Sequence, residues 1–254
     1  MPAPWSCIAA LVFAAGLASP AALATPTDAE PARECVILLH GLGRTALSML
    51  PMSRALQEAG FLVANINYPS REHPIESLAA SALPRGFGQC RDAGGGTVHI
   101  VTHSMGGLLT RQYLSENEAP GLGRVVMMAP PNQGSAVADR LMDEAFYQRL
   151  NGPAGQQLGT GPDGIAARLG PVEFTLGVLA GNQRTPVDVF LSEGIDEPSD
   201  GKVTVEETRV DGMADFRVLE ANHTFILSDP EAIRQVLHFL REGRFSGEAA
   251  LPAD

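Results

Sequence analysis

The chain has 254 residues, 44% hydrophobic and 19% charged, and its 29 acidic against 18 basic side chains give a formal net charge of −11. The apolar fraction excludes a disordered polypeptide, and the apolar residues are too interrupted for a multi-span membrane protein. Lys202 is the only lysine and no Lys/Arg cluster occurs, so the chain lacks the cations that bind nucleic acid or an anionic membrane surface.

Residues 1–24 contain no Asp, Glu, Lys or Arg, and 7–18 are almost continuously apolar. Pro20 and then Ala22-Leu23-Ala24, a small-x-small signature, follow. The run is short for a hydrocarbon core about 30 Å thick, so it reads as a cleaved export signal with the cut after Ala24. The n-region departs from the usual pattern in carrying only its α-amino charge. Residues 25–254 are then expected to form one exported domain without a membrane anchor. Two cysteines remain in it, Cys35 and Cys90, an even count that permits one disulfide in an oxidising compartment.

After a loose stretch at 25–33, Cys35-Val36-Ile37-Leu38-Leu39 is a short apolar run ending in His40-Gly41-Leu42-Gly43. Such a run bounded by glycine reads as a strand buried on both faces of a parallel sheet. Leu47, Leu50, Ala55, Leu56 and Ala59 recur at helical spacing and predict a helix over 45–59 that stops at Gly60. A strand at 61–66 and a helix at 75–83 come next, followed by a loop containing Gly94-Gly95-Gly96. A strand at 97–102, a helix at 105–117 and a strand at 125–128, closed by Pro130-Pro131-Asn132, continue the alternation. This order predicts an α/β domain built on a doubly wound, mostly parallel sheet. The glycine-rich segment 134–170 reads as a partly helical insertion, 172–180 and 216–219 as the last strands, and 230–240 as an amphipathic closing helix.

Thr102-His103-Ser104-Met105-Gly106-Gly107 stands where a buried strand hands over to a helix. A serine hydroxyl is a weak nucleophile, which must be lifted clear of the sheet and given a base. A tight strand–turn–helix does the lifting, with small residues two before and two after the serine letting strand and helix approach. Gly106 fills the second position; Thr102 stands where glycine is commoner. An attacked carbonyl also needs N–H donors for its oxyanion. Met105, at the helix start, and Leu42, in the loop after the first central strand, are the candidate donors, with His40 bracing that loop.

The base should be a histidine. His73, His99, His103 and His238 fall in an early loop, on the nucleophile strand or its turn, or within the closing helix. His223 follows the last predicted strand and so emerges on the same rim as Ser104, which makes it the candidate. The orienting acid should lie between serine and histidine, among Asp188, Asp196, Asp200, Asp211 and Asp215. Asp200, in the turn Ser199-Asp200-Gly201, is preferred by position, with Asp196 the nearest alternative. No Cys-x-x-Cys pair, His-Glu-x-x-His or phosphate-binding loop occurs, so neither a metal nor a cofactor is expected. In the insertion, Val137, Leu141, Met142, Phe146 and Leu150 lie at helical spacing. They are expected to wall an acyl pocket beside Ser104, with Phe146 as a substrate-binding candidate. Gly152, Gly155, Gly159 and Gly161 would permit movement.

Together, His40-Gly41-Leu42-Gly43, Thr102-His103-Ser104-Met105-Gly106-Gly107, Asp200-Gly201 and His223 resemble the α/β-hydrolases of the small bacterial lipase and esterase type. The similarity covers nearly the whole chain after the signal. Several such lipases replace the first glycine of the nucleophile motif, as Thr102 does here, and Asp200-Gly201-Lys202-Val203 looks like the family's acid turn, favouring Asp200 over Asp196. The resemblance also implies that Cys35 and Cys90 lie near the amino-terminal edge of adjacent strands and form a structural disulfide. It implies a serine ester hydrolase acting on a small-molecule or lipid ester. An acyltransferase or thioesterase with the same triad, or a catalytically silent binding protein, are the alternatives; silent relatives tend to lose a triad member, and none is lost here.

Overall fold

The computed structural model describes Met1, 33–191 and 194–247; beyond Met1, the predicted export signal lies outside the described residues. Strand β1 (Arg33–Leu39) shows why residues 35–39 are continuously apolar: they are covered on both sides, while Arg33 and Glu34 are exposed. Val36 and Leu38 point into one cluster with Met52 and Leu56 of helix α1 (Leu50–Glu58) and with Val236 and Phe239 of helix α8 (Pro230–Glu242). Ile37 and Leu39 point the other way, toward Leu78 and Leu83 of helix α2 (Ile75–Asp92) and Leu108 of helix α3 (Met105–Glu116). Successive strand side chains alternate faces, so two covered faces require an unbroken apolar run. Each fully buried Leu or Ile contributes about 1.5–3 kcal/mol.

Strands β2 (Leu62–Ile66), β3 (Gly95–His103), β4 (Leu122–Met128), β5 (Leu176–Gly181) and β6 (Asp215–Leu219) complete one sheet. The order is β2-β1-β3-β4-β5-β6, and every pairing is parallel. The chain leaves β1 toward β2 and then returns to the other side of β1 to form β3. That reversal opens a crevice at the carboxyl ends of β1 and β3, where ligands of open parallel sheets bind. The loop 40–43 and Ser104 both stand there.

The predicted helix at 45–59 is a 3₁₀ turn, Ala46–Met49, running into α1, with Pro51 tolerated in the first turn because its missing N–H would be unpaired there anyway. Helix α2 departs further. It does not stop at residue 83 but runs through Pro84, Gly86 and Gly88 to Asp92. Pro84 removes the bond to the carbonyl of Ala80, an exposed residue, and the packing of α2 outweighs that loss. Gly86 is where α2 rests on β1: a Cβ there would stand 2.8 Å from Ile37 Cγ2. Cys90 therefore lies in the last turn of a helix, not in a loop, and is disulfide-bonded to Cys35 with Cα atoms 5.7 Å apart. Helix α8 has the ends its sequence announces. Asp229 accepts the Ala232 N–H, Pro230 opens the first turn, and Gly243 closes the helix at φ 74°.

Between β4 and β5 the insertion forms α4 (Ala136–Met142), α5 (Ala145–Gly155) and α6 (Ile165–Arg168), and α7 (Pro186–Leu191) follows β5. The insertion's glycines have a static explanation, apart from Gly161, which faces open space. Gly152 kinks α5 at φ 61° where a Cβ would overlap the Arg71 carbonyl. Cβ atoms at Gly155 and Gly159 would collide with Asn151 and Asp139. No described helix is long and apolar enough to cross a membrane.

Candidate active site

Ser104 stands between the end of β3 and the start of α3 at φ 52°, ψ −126°. Among the described residues only Ala129 is another non-glycine with positive φ. Such a conformation costs on the order of 1–3 kcal/mol and persists only where its surroundings over-determine it. Here the Ser104 N–H donates to the Met128 carbonyl at 2.9 Å, and the Ser104 carbonyl accepts from the Gly107 N–H at 2.9 Å. The two glycines let α3 close on the sheet: a Cβ on Gly106 would stand 2.8 Å from the Leu39 carbonyl oxygen, and one on Gly107 3.0 Å from Met127 Sδ. Thr102 fits the remaining position as a buried strand residue whose hydroxyl has no partner among the described residues.

His223 comes from the loop after β6 and brings the other two members together. The Ser104 hydroxyl donates to His223 Nε2 at 3.0 Å, and His223 Nδ1–H donates to Asp200 Oδ2 at 2.7 Å. Asp200 is wholly buried, and its other oxygen accepts the N–H groups of Lys202 and Val203, both at 2.9 Å. The His223 N–H also donates to the Asp200 carbonyl at 3.0 Å. Two backbone donors hold the carboxylate in one orientation, and the carboxylate holds the proton of His223 on Nδ1, leaving Nε2 free to accept. The other acids are elsewhere. Asp196 is exposed, Asp188 is engaged with Thr185 and Lys202, and Asp215 opens β6 at the opposite end of the sheet.

Two further histidines shape the site. His103 is buried, and its Nε2–H donates to the His223 carbonyl at 2.8 Å. Burial, with the neighbouring Arg44 charge, pushes its pKa well below 6.5, so it is a neutral brace for the loop that carries His223. The sequence places His103 beside Ser104 but contains no signal for a bond to residue 223. His40 is wholly buried and stacked on Tyr68 with ring centroids 4.0 Å apart. Its Nδ1–H donates to the Gly41 carbonyl at 2.9 Å, while the Tyr68 hydroxyl donates to the His40 carbonyl. Burial lowers its pKa as well, against the opposing pull of the Gly41 bond. His40 thus braces the loop 40–43, as its position suggested.

That loop lies directly on Ser104: a Cβ at Gly41 would stand 2.9 Å from His103 Nδ1 and 3.1 Å from Ser104 Cβ. Met105 opens α3, so its N–H has no intrahelical acceptor. Gly41 and Leu42 line the same pocket as Ser104 and His223, a cavity of about 510 Å³. Val137, Leu141, Tyr147, Leu150 and Leu158 of the insertion give it an apolar wall. Tyr147, passed over in the sequence, is held as a neutral phenol by burial first and by Asp139 second, its pKa pushed up to about 12. Phe146 lines the mouth and remains 76% exposed. Met142 is not among the lining residues and packs at Gly159 instead. Among the described residues, no group of three or more His, Cys, Asp or Glu side chains could hold a metal ion.

The sequence model for the alpha/beta hydrolase family matches residues 36–197. The chain belongs to the alpha/beta hydrolase family. No curated protein matches this hydrolase significantly. Among solved structures, the mature lipase BlEst2 of Bacillus licheniformis superimposes on the hydrolase with a TM-score of 0.64 at 18% identity, covering 86% of this chain and 96% of that one. Phospholipase PlaB of Legionella pneumophila gives 0.61 at 18% identity, over 82% of this chain and 60% of that one. A thermophilic esterase from Thermogutta terrifontis gives 0.55 at 16% identity, over 83% and 90%. Identities this low establish the shared fold.

Proposed function

We propose that this hydrolase cleaves carboxylic esters with Ser104 as nucleophile, His223 as base and Asp200 as the group that orients it. The observation that carries the reading is the hydrogen-bonded chain Ser104–His223–Asp200 opening onto a largely apolar pocket. Ser104 Oγ attacks the ester carbonyl while His223 Nε2 takes its proton. The oxyanion is received by the N–H groups of Leu42 and Met105, worth about 3–4 kcal/mol of barrier per donor in a site of this kind. His223 then protonates the departing alkoxide, leaving an acyl-enzyme on Ser104. Water, deprotonated by His223, attacks the acyl carbon, and the acid leaves with Ser104 restored. The apolar wall suits the acyl chain. The apolar leader at 1–24 and the disulfide support export, because disulfides persist in oxidising compartments.

The test is a panel of chromogenic esters of increasing acyl length, run beside Ser104→Ala and with labelling by a serine-directed phosphonate. Turnover and labelling are expected, both lost in the variant. A protein that neither turns over any ester nor takes the label is a silent binding protein, and the reading fails.

A further inference from the structure

Two arginines lie on neighbouring loops at the site, Arg44 at the pocket and Arg71 against Gly43, and among the described residues neither has an acidic partner. Arg44 follows directly on the loop 40–43 and lines the pocket, and its Nη2 donates to Thr224 Oγ1 at 3.2 Å. Arg71 comes from the loop after β2, and its guanidinium lies against Gly43: a Cβ there would stand 2.5 Å from Nη2 and 2.9 Å from Nε. The Gly43 N–H donates to Ser70 Oγ at 3.0 Å, which ties the turn bearing Arg71 to the loop bearing Arg44. Arg71 therefore packs on the residue that immediately precedes Arg44 in the chain.

Among the described residues neither arginine has a carboxylate within ion-pair distance, whereas Lys202, the other basic residue lining the pocket, has Asp188 at 3.2 Å. Glu144 lines the pocket from the insertion, on the apolar side. In a chain of net charge −11, two uncompensated cations at one loop run against the general field. The side of the pocket on which Arg44 stands is also defined. Arg44 is bonded to the residue after His223, and His223 is the group that protonates the leaving oxygen.

We propose that the alcohol portion of the substrate carries an anionic oxygen group, a phosphate or a carboxylate, which Arg44 grips with Arg71 as the second cation. This rests on the ester-hydrolase reading. A planar guanidinium offers paired N–H donors that match either group, and charge-assisted bonds of this geometry are about twice as strong as neutral ones. The site thus divides by polarity, with the acyl chain against the insertion and the anionic alcohol against the loops that carry Arg44 and Arg71.

The experiment compares three esters of one acyl chain: a neutral glycerol ester, the same ester bearing a glycerol phosphate, and the ester of a hydroxy acid with a free carboxylate. For the natural protein kcat/KM is expected to be about tenfold higher on at least one anionic ester than on the neutral one, with the advantage shrinking as salt is raised. Whichever anionic ester is favoured distinguishes phosphate from carboxylate. Arg44→Gln should bring the anionic-to-neutral ratio close to one, Arg44→Lys should retain part of it, and Arg71→Gln should lower it several-fold. The ratio is insensitive to a general loss of folded protein. Equal kcat/KM on all three esters, or a preference that survives Arg44→Gln with Arg71→Gln, overturns the proposal while leaving the hydrolase reading intact. For a protein inactive on every ester, glycerol phosphate is titrated calorimetrically into the natural protein and into Arg44→Gln. Binding lost in the variant supports the anion site alone, and no binding to either overturns it.

Discussion

Replacing Asp200 by asparagine probes the proposed mechanism at its most constrained point. The side chain is wholly buried, with Oδ1 receiving the Lys202 and Val203 N–H groups at 2.9 Å and Oδ2 receiving His223 Nδ1–H at 2.7 Å. An asparagine must keep its oxygen toward the two backbone donors, because its amide NH₂ there would oppose donor to donor. The NH₂ then faces His223 Nδ1, which must become the acceptor, and the ring proton moves to Nε2. In that tautomer Nε2 donates to Ser104 Oγ and cannot take its proton. Flipping the amide restores the tautomer only by leaving two buried N–H groups unpaired, at about 1–3 kcal/mol each. Asp200→Asn is therefore expected to lower kcat by about 10⁴, or ~5.5 kcal/mol of barrier, near the upper end of that range. The fold should survive, since shape and both backbone bonds are kept. Asp196→Asn, at an exposed position, should be near neutral. The assay is kcat on the best chromogenic ester, with thermal melts of both variants. An Asp200→Asn enzyme retaining more than a tenth of its kcat would refute the argument.

Phe146→Ala should cost no more than about 0.5 kcal/mol, because the ring is 76% exposed, yet shift the chain-length profile of kcat/KM; a destabilised variant whose folded fraction keeps the same selectivity would return this segment to the core. The Cys35–Cys90 bridge closes a 55-residue separation, for which chain entropy gives up to about 4 kcal/mol. Removing both cysteines should lower Tm without changing kcat at 25 °C (two alkylatable thiols before reduction would instead show the bond absent). His40, His99 and His103 are all buried, and burial lowers each pKa from 6.5. Between each lowered value and 6.5 the unfolded chain binds more protons than the folded one. Their contribution is thus whole above pH 6.5 and is lost as pH falls below it, by at most about 1.4 kcal/mol per pH unit for each histidine. Urea midpoints that stay flat from pH 8 to pH 5 would contradict this.

The sequence alone determined what short-range chemistry controls. An apolar run at 35–39 had to be a strand covered on both faces, and Gly106-Gly107 after a buried strand had to bring a helix close behind Ser104. The apolar spacing at 230–240 had to be an amphipathic closing helix. His223 could be singled out because the chain order puts it just past the last strand, on the rim. Tertiary structure decided the rest. Asp196 and Asp200 stand four positions apart, and what distinguishes them is burial and the two N–H groups that Lys202 and Val203 turn back onto one carboxylate. Helix α2 outruns Pro84 because Gly86 rests on Ile37, a contact across 49 positions that no local propensity contains. His103 reaches the carbonyl of residue 223, and Arg71 reaches Gly43, only once the loops at the carboxyl ends of four strands meet on one rim. Backbone preference acts over a few neighbours, whereas burial and pairing are settled between residues that the chain keeps far apart until the sheet has formed.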